Sequence, residues 1–592
     1  MLIVSFMMKE RNSEHKQAPN PKELEKELTE FLSQRFGGNV QLVSPLSLQS
    51  EAEIDGEKES PRLKEDSLKI DFDLRPEELI AYLDRFITRQ STAKAVLATK
   101  ICTHFNRIRR MRENPSEVLD LTGSIKNNVL MLGPTGVGKT YMIKLIAKKL
   151  AVPFVKGDAT KFSETGYVGA DVEDLVRDLV KEADGNIELA QYGIIYVDEI
   201  DKIASTKNYG GMDVSRTGVQ RALLKPMEET NVNLKVPHDP ASMMQEMMRL
   251  QKQGTNAKPQ MVNTKNILFI TSGAFAELPE IISKRVSKKG IGFGATLSSE
   301  AKTDSLLTQV KTEDLTTFGF ESEFVGRLPV RAVFEHLTEE DLYEILANPN
   351  NSILLGKKLD FRSYGIHICF QEKALRYLAN QASKENTGAR GLVSAVEESL
   401  LVFETKLPST DIQFFPITLD AVKNPKEELE KILQETSGSL YRRFEKLRKT
   451  EEERILTYLK THLYTLGDRL DSTQVEPYMS LIAALYTHIP IDIPTAVERV
   501  LHLKAELIRI EQNFEKEQGL QISFNNSSLL YILTEVNYQG ISLEEFFSGL
   551  LYTLELGLNL VKEKTGQVFF TIDETALKDP DAYIGALMYP AT

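Results

Sequence analysis

Asn128-Val-Leu-Met-Leu132 followed by Gly133-Pro134-Thr135-Gly136-Val137-Gly138-Lys139-Thr140 is the stretch on which the fold turns. An apolar run breaks into a glycine-rich loop and resumes as a helical pattern over 140–150, which reads as strand, loop and helix in series. The glycines let backbone N–H groups turn towards phosphate oxygens at the helix N-terminus. Lys139 neutralises charge on the β- and γ-phosphates, and Thr140 offers its hydroxyl to Mg2+. The loop is therefore expected to cradle ATP with Mg2+.

Further along, Ile194-Ile-Tyr-Val197 ends in Asp198-Glu199. A parallel strand delivers such groups at its C-terminal end, where open α/β sheets bind ligands. Asp198 is expected to hold Mg2+ through water. Glu199 is placed to orient and polarise an attacking water, which implies an ATPase rather than a nucleotide store. A third apolar run, Ile267–Ile270, ends in Thr271-Ser272. Thr271 is assigned to the ATP site, while which of the two hydroxyls reports the γ-phosphate stays open.

Strand-like runs at Asn128–Leu132, Pro153–Val155, Gly193–Val197 and Asn266–Ile270 alternate with helical patterns over 140–150, 171–184 and 218–229. That alternation predicts a parallel sheet with helices on both faces, an α/β P-loop NTPase over 67–335. Upstream, a helical pattern runs from Pro76 through Leu79, Leu83 and Phe86 and, after Gln90, through Ala95, Val96 and Ile101 to the basic Arg107–Arg110. After Pro329 the pattern turns helical, with one strand-like piece at His367–Phe370. This gives a helix-rich small domain over 336–424 and a mostly helical C-terminal extension over 425–592. Within the extension, the charged run Tyr441–Glu453 reads as a solvated face. Residues 1–66, polar and closing on the acidic stretch Glu51–Asp66, read as an arm or small module.

A faint repeat runs at an offset of 154 residues: Ile368, Phe370, Leu375 and Tyr377 recur as Ile522, Phe524, Leu529 and Tyr531, and Ser394, Leu400, Gln413 and Phe415 as Ser548, Leu554, Gln567 and Phe569. Either a small-domain-like unit is duplicated over about 510–575, or two helical stretches coincide. In the duplicate, Glu544 takes the place of Arg390, so that copy is not expected to sense nucleotide.

Composition excludes several classes. The 592 residues exceed one domain, at 41% hydrophobic and 27% charged with no apolar run long enough to span a bilayer, so no membrane association is expected. Met1-Leu-Ile-Val-Ser-Phe-Met-Met8 lacks a basic start, which makes the cytoplasm the expected location. Two distant cysteines, Cys102 and Cys369, build neither a disulfide framework nor a cysteine zinc module, so no zinc is expected. With 72 basic against 85 acidic residues, the charge of −13 gives no bulk attraction to nucleic acid, and none is expected as a partner.

Taken together, the P-loop, Asp158–Gly169, Tyr196–Lys202, Asp213-Val-Ser, Ser272-Gly-Ala-Phe, Gly290–Thr296, Glu323–Pro329 and Thr387–Leu392 closely resemble the ClpX family of AAA+ protein unfoldases, with HslU as the nearest relative. The resemblance spans about 72–424. It implies an ATPase acting as a homohexamer that threads protein substrates through a pore and delivers them to a ClpP-like peptidase. By the same resemblance Arg327 is the arginine finger reaching a neighbour's ATP, Arg390 the sensor-2 arginine, and Ile87 a contact of the adenine pocket. Gly166-Tyr167-Val168-Gly169 would be the pore loop, a bulky paddle on flexible pivots. Lys207–Gly218 would be a second pore loop, and Ile291-Gly292-Phe293 the loop docking the peptidase.

Departures from the family pattern matter as much. The first 72 residues hold no cysteine where the family carries a zinc module, Arg89 stands where the family has glycine, and Met243, Met244, Met247 and Met248 replace a basic loop element. A protease-independent remodelling chaperone, with a dedicated partner on the C-terminal extension, is the alternative expectation.

Overall fold

A computed structural model describes residues 73–113, 126–162, 170–204, 214–234, 260–287, 299–462 and 475–589. In chain order the strands are β1 (Val129–Leu132), β2 (Phe154–Asp158), β3 (Ile194–Asp198), β4 (Asn231–Asn233), β5 (Met261–Asn263), β6 (Leu268–Gly273), β7 (Val330–Val333), β8 (His367–Phe370), β9 (Phe414–Ile417), β10 (Gln521–Phe524) and β11 (Phe569–Ile572). Five of them form one parallel sheet in the order β2-β3-β6-β1-β7.

The sheet forms because its central strands are apolar on both faces, as a parallel sheet covered by helices requires. Leu130, Leu132, Ile195, Val197 and Phe269 enter one core with the helices Asp174–Glu182, Val214–Met227 and Leu278–Ser287. Val129, Met131, Ile194, Tyr196, Leu268 and Ile270 enter the other, beneath the helices Pro76–Asp84, Ser91–Glu113 and Lys139–Leu150. The fold class is the expected one. In detail, the stretch just after Pro329 differs: Val330–Val333 is the edge strand beside β1, with Val330 and Ala332 buried and Arg331 turned to the Val310 carbonyl and the Thr312 hydroxyl.

Beyond the sheet, the helices Glu339–Ala347, Ser352–Arg362, Glu372–Lys384 and Ala389–Lys406 pack around the parallel pair β8–β9. This core continues through Leu429, Ile432 and Leu440, so a boundary at residue 424 falls inside it. β9 itself was not expected; it is a strand through its parallel pairing with β8.

The same order of elements recurs downstream. β8 and the helix Glu372–Lys384 are matched by β10 and the helix Asn526–Gln539, shifted by 154 residues (367 to 521). β9 and the helices Leu419–Lys423 and Pro425–Gln434 are matched by β11, Glu574–Lys578 and Pro580–Met588, shifted by 155 (414 to 569). Even the caps correspond, with Thr418 and Asp573 each accepting the N–H three residues on. The copies differ in what covers their sheets. On the first sheet, Phe414 and His367 are covered by Tyr441 and Phe444 of the helix Ser437–His462. On the second, Phe569 is 54% exposed and its neighbours Gln521 and Thr571 are polar and exposed.

The helix Ser437–His462 is not simply solvated. Leu440 belongs to the small-unit core, Ile455 and Leu459 to the core of the extension, and between them Glu451 is buried against Lys358 at 2.8 Å. Leaving either charge alone would cost several kcal/mol, about 3–5 for a broken buried pair, which makes the pair a condition for helix and small unit to stay joined. Among the described residues no helix is long and apolar enough to cross a membrane.

Candidate functional site

β1 ends at Leu132 and the chain enters the loop with Gly133 at φ 148°, Gly136 at φ 75° and Gly138 at φ 91°. At Gly136 a β-carbon would lie 2.0 Å from the Thr387 carbonyl oxygen, so only glycine lets the loop meet residues 387–388. Gly138 is the N-cap of the helix Lys139–Leu150, and no side chain caps it. The first-turn N–H groups and the positive end of the helix dipole therefore face the loop, as an anion site requires.

Lys139 is buried, and its Nζ donates to the carbonyls of Gly133 (2.5 Å) and Pro134 (2.7 Å). Burial lowers its amine to about 8, against the upward pull of Asp198 and Asp201. The amine is cationic below that value and neutral above it. If Lys139 binds phosphate, ADP affinity is expected to hold near neutral pH and fall above about 8 by up to ~10-fold per pH unit, since binding then requires proton uptake. Titration calorimetry across that range checks this; a flat profile removes Lys139 from the phosphate contact.

Thr140 and Asp198 come together as a hydroxyl and carboxylate pair: Thr140 Oγ1 donates to Asp198 Oδ2 at 3.4 Å and is hydrogen-bonded to the Tyr196 hydroxyl at 3.1 Å. Burial pushes the Asp198 carboxyl up, but Lys156 (2.8 Å) and the Ser272 hydroxyl (2.6 Å) outweigh it, and the net shift is downward. Ionised Asp198 beside a threonine hydroxyl is a hard-oxygen pair of the kind Mg2+ takes, so the residues present fit the ion. Glu199 follows with left-handed backbone, φ 58°, exposed on the cavity wall, its N–H bonded to Asp198 Oδ1. Such a conformation costs a non-glycine residue roughly 1–2 kcal/mol and is found at working sites.

Thr271 requires correction. Its side chain is fully buried and its hydroxyl donates to the Val129 carbonyl at 3.3 Å, so it does not reach the cavity. Ser272 is the hydroxyl joined to Asp198, and Tyr196 OH joins both at 2.6 Å from Ser272. Strand parity explains this. Ser272 shares a face with Ile270, Tyr196 and Asp198, whereas Thr271 shares one with Phe269. Tyr196 and Lys156 were both overlooked; the parity that places Tyr196 was readable in the sequence, whereas Lys156 depends on the register of β2 against β3.

A cavity of about 410 Å3 opens above the loop. Thr135, Gly136, Val137, Gly138, Lys139, Thr140, Asp198 and Glu199 line one side, while Ala389 and Arg390 from the helix Ala389–Lys406 face them. Gly133 and Pro134 are not on its lining and meet it only through Lys139, whose amine donates to their carbonyls. The Ala389 N–H donates to the Gly136 carbonyl at 2.8 Å, and Gly388, at φ 63°, sits against the same residue. A further wall is apolar, formed by Phe86, Ile87, Tyr141, Ile345 and Ile353, suited to a flat base. Arg89 is not on that wall. It binds Glu335 and Asp341 at 2.8 Å each, tying this loop to the start of the small unit.

Arg327 lies away from its own chain's cavity lining. It ends the helix Ser322–Gly326, forms an ion pair with Glu228, and its carbonyl accepts from Asn128 Nδ2 at 3.2 Å. Gly166, Tyr167, Val168 and Gly169, the docking stretch Ile291, Gly292 and Phe293, and the methionines 243–248 lie outside the described residues. So does most of Lys207–Gly218.

Residues 125–331 match the family described as AAA domain (Cdc48 subfamily). The chain is 39% identical over 338 residues to a Treponema denticola protein called ATP-dependent Clp protease ATP-binding subunit ClpX, covering 56% of this chain and 77% of the relative. Proteins of the same name from Borrelia duttonii and Borrelia recurrentis are each 38% identical over 356 residues, covering 60% of this chain and 79% of the relative.

Proposed function

The chain belongs to the ClpX family of AAA+ ATPases, hydrolysing ATP with Mg2+, and from that premise we propose that it is a protein unfoldase working as a hexameric ring and feeding a ClpP-like peptidase. The observation that supports this reading is the two-sided cavity: the glycine loop, Lys139, Thr140 and Asp198 line it from the ATPase body, and Ala389 and Arg390 face them from the small unit, whose 387–389 turn meets the loop at Gly136. A ligand gripped from both sides favours closure, and its cleavage releases it, so turnover rotates one unit against the other. Residues 73–335 are read as the ATPase body and 336–440 as the moving unit, which carries the extension with it.

In this reading Tyr167 and Val168 press on the threaded chain and Ile291–Phe293 anchor the peptidase. Tyr167→Ala is expected to keep ATPase activity and to lose unfolding of a stable tagged substrate by roughly tenfold or more, because a paddle without bulk has little to push with. Unchanged unfolding would remove the paddle. A remodelling chaperone without a peptidase is the second reading, favoured by the cysteine-free residues 1–72 and by the large extension. Degradation of a tagged substrate with added peptidase, compared between the wild type and Phe293→Ala, separates the two: the first reading predicts degradation that the variant loses, the second none in either.

A further inference from the structure

The extension reaches the nucleotide cavity through one buried side chain. Asn350 is 5% exposed and uses its whole amide. Its Nδ2 donates to the Arg85 carbonyl at 3.2 Å and to the Tyr458 hydroxyl at 3.1 Å, and its Oδ1 accepts the Ile493 N–H at 3.1 Å. Tyr458 lies on the helix Ser437–His462, and Ile493 begins the helix Ile493–Gln518, so two elements of the extension end on this amide. The Ile493 N–H is a first-turn donor that its own helix cannot satisfy, and Asn350 supplies the acceptor.

What the amide holds in turn decides its meaning. Arg85 is the C-cap of the helix Pro76–Asp84, and its carbonyl also accepts from Asn348 Nδ2 at 2.9 Å. The next three residues, Phe86, Ile87 and Thr88, are cavity wall. Asn348 and Asn351 line the cavity as well, and Asn351 caps the helix Ser352–Arg362 through the Ile353 N–H. Asn350 is thus the residue of this turn that faces the extension. Asp492, next to Ile493, lies near this wall: its charge helps raise the Tyr141 hydroxyl behind burial, and the Tyr82 hydroxyl behind burial and Tyr141, and Tyr141 is cavity wall.

We propose that Asn350 is a positioning residue through which the C-terminal extension fixes the base-side wall of the nucleotide site. The proposal rests on the reading of this cavity as the ATP site. It gives the extension a place in nucleotide grip: helices 437–462 and 493–518 hold the Arg85 carbonyl, and hence the Phe86–Thr88 wall, at a set distance from Asn348 and Asn351. The phosphate cradle, built on a different element, does not depend on it.

Binding of ADP and of inorganic tripolyphosphate to the full chain tests this, since the second ligand has phosphates and no base. Asn350→Ala is expected to weaken ADP about tenfold, and Tyr458→Phe, which keeps the ring and its 4.2 Å stacking on His462, about threefold. Tripolyphosphate affinity should stay within about twofold in both variants, and KM for ATP should rise far more than kcat falls. Adding Tyr458→Phe to Asn350→Ala should cost nothing further, because the shared bond is already gone. Unchanged ADP affinity in both variants overturns the proposal, as does an equal loss for both ligands. If the wild type binds neither ligand, the nucleotide reading itself fails.

Discussion

Glu199→Gln is expected to bind ATP as the wild type does and to lose turnover by ~10²–10⁴-fold, the usual worth of a positioned general base. The residue is exposed on the cavity wall and held by left-handed backbone directly after Asp198. Gln keeps the side chain's size and leaves the Asp198–Thr140 pair intact, so nucleotide affinity should survive. What goes is the carboxylate that polarises water. Equilibrium binding and single-turnover hydrolysis separate the two effects, and near-normal hydrolysis would take Glu199 out of the chemistry.

A second large effect is expected at Arg327. A finger that spreads charge on the transferring phosphoryl group is worth ~10³–10⁵ in kcat, so Arg327→Ala should be almost inactive while still binding nucleotide. The geometry behind this is that Arg327 is half exposed, paired with Glu228 and absent from the lining of its own chain's cavity. An exposed ion pair of this kind contributes about 0–1 kcal/mol, little enough for the guanidinium to leave Glu228 for a phosphate of an adjoining subunit. Arg327→Lys should recover only a small part, since an ammonium cannot make two parallel bonds to the phosphoryl oxygens. Full activity of Arg327→Ala would contradict the finger.

The glycine loop was legible in the sequence because its shape needs unusual backbone, and unusual backbone favours glycine. Gly133, Gly136 and Gly138 all take positive φ, and at Gly136 no side chain fits. The central strands were legible for a related reason, since a sheet covered on both faces needs continuous apolar runs such as Ile194–Val197. β7 and β9 were not, since their identity as strands comes from the neighbours they pair with. The sequence did contain the period of two that puts Ser272, and not Thr271, on the face of Asp198. Glu451 read as solvent-facing because its partner Lys358 lies 93 residues earlier, and no local pattern reports such a pairing. Arg89 shows the same limit: its position suggested the adenine pocket, whereas its ion pairs lie with Glu335 and Asp341, brought close only when the small unit docks. Asn350 belongs to this class too. Beside its own turn with Asn348, its neighbours Arg85, Tyr458 and Ile493 are assembled by the fold from three further stretches of chain.

The account depends on catalysis being shared between subunits, and mixing two inactive variants tests that most directly. A subunit carrying Arg327→Ala keeps its Thr140, Asp198 and Glu199; one carrying Glu199→Gln keeps its arginine. Wherever the first presents its nucleotide to the finger of the second, a complete site is rebuilt. ATPase activity is therefore predicted to appear on mixing, well above the sum of the separate variants and dependent on protein concentration. A mixture no more active than its parts would contradict the account.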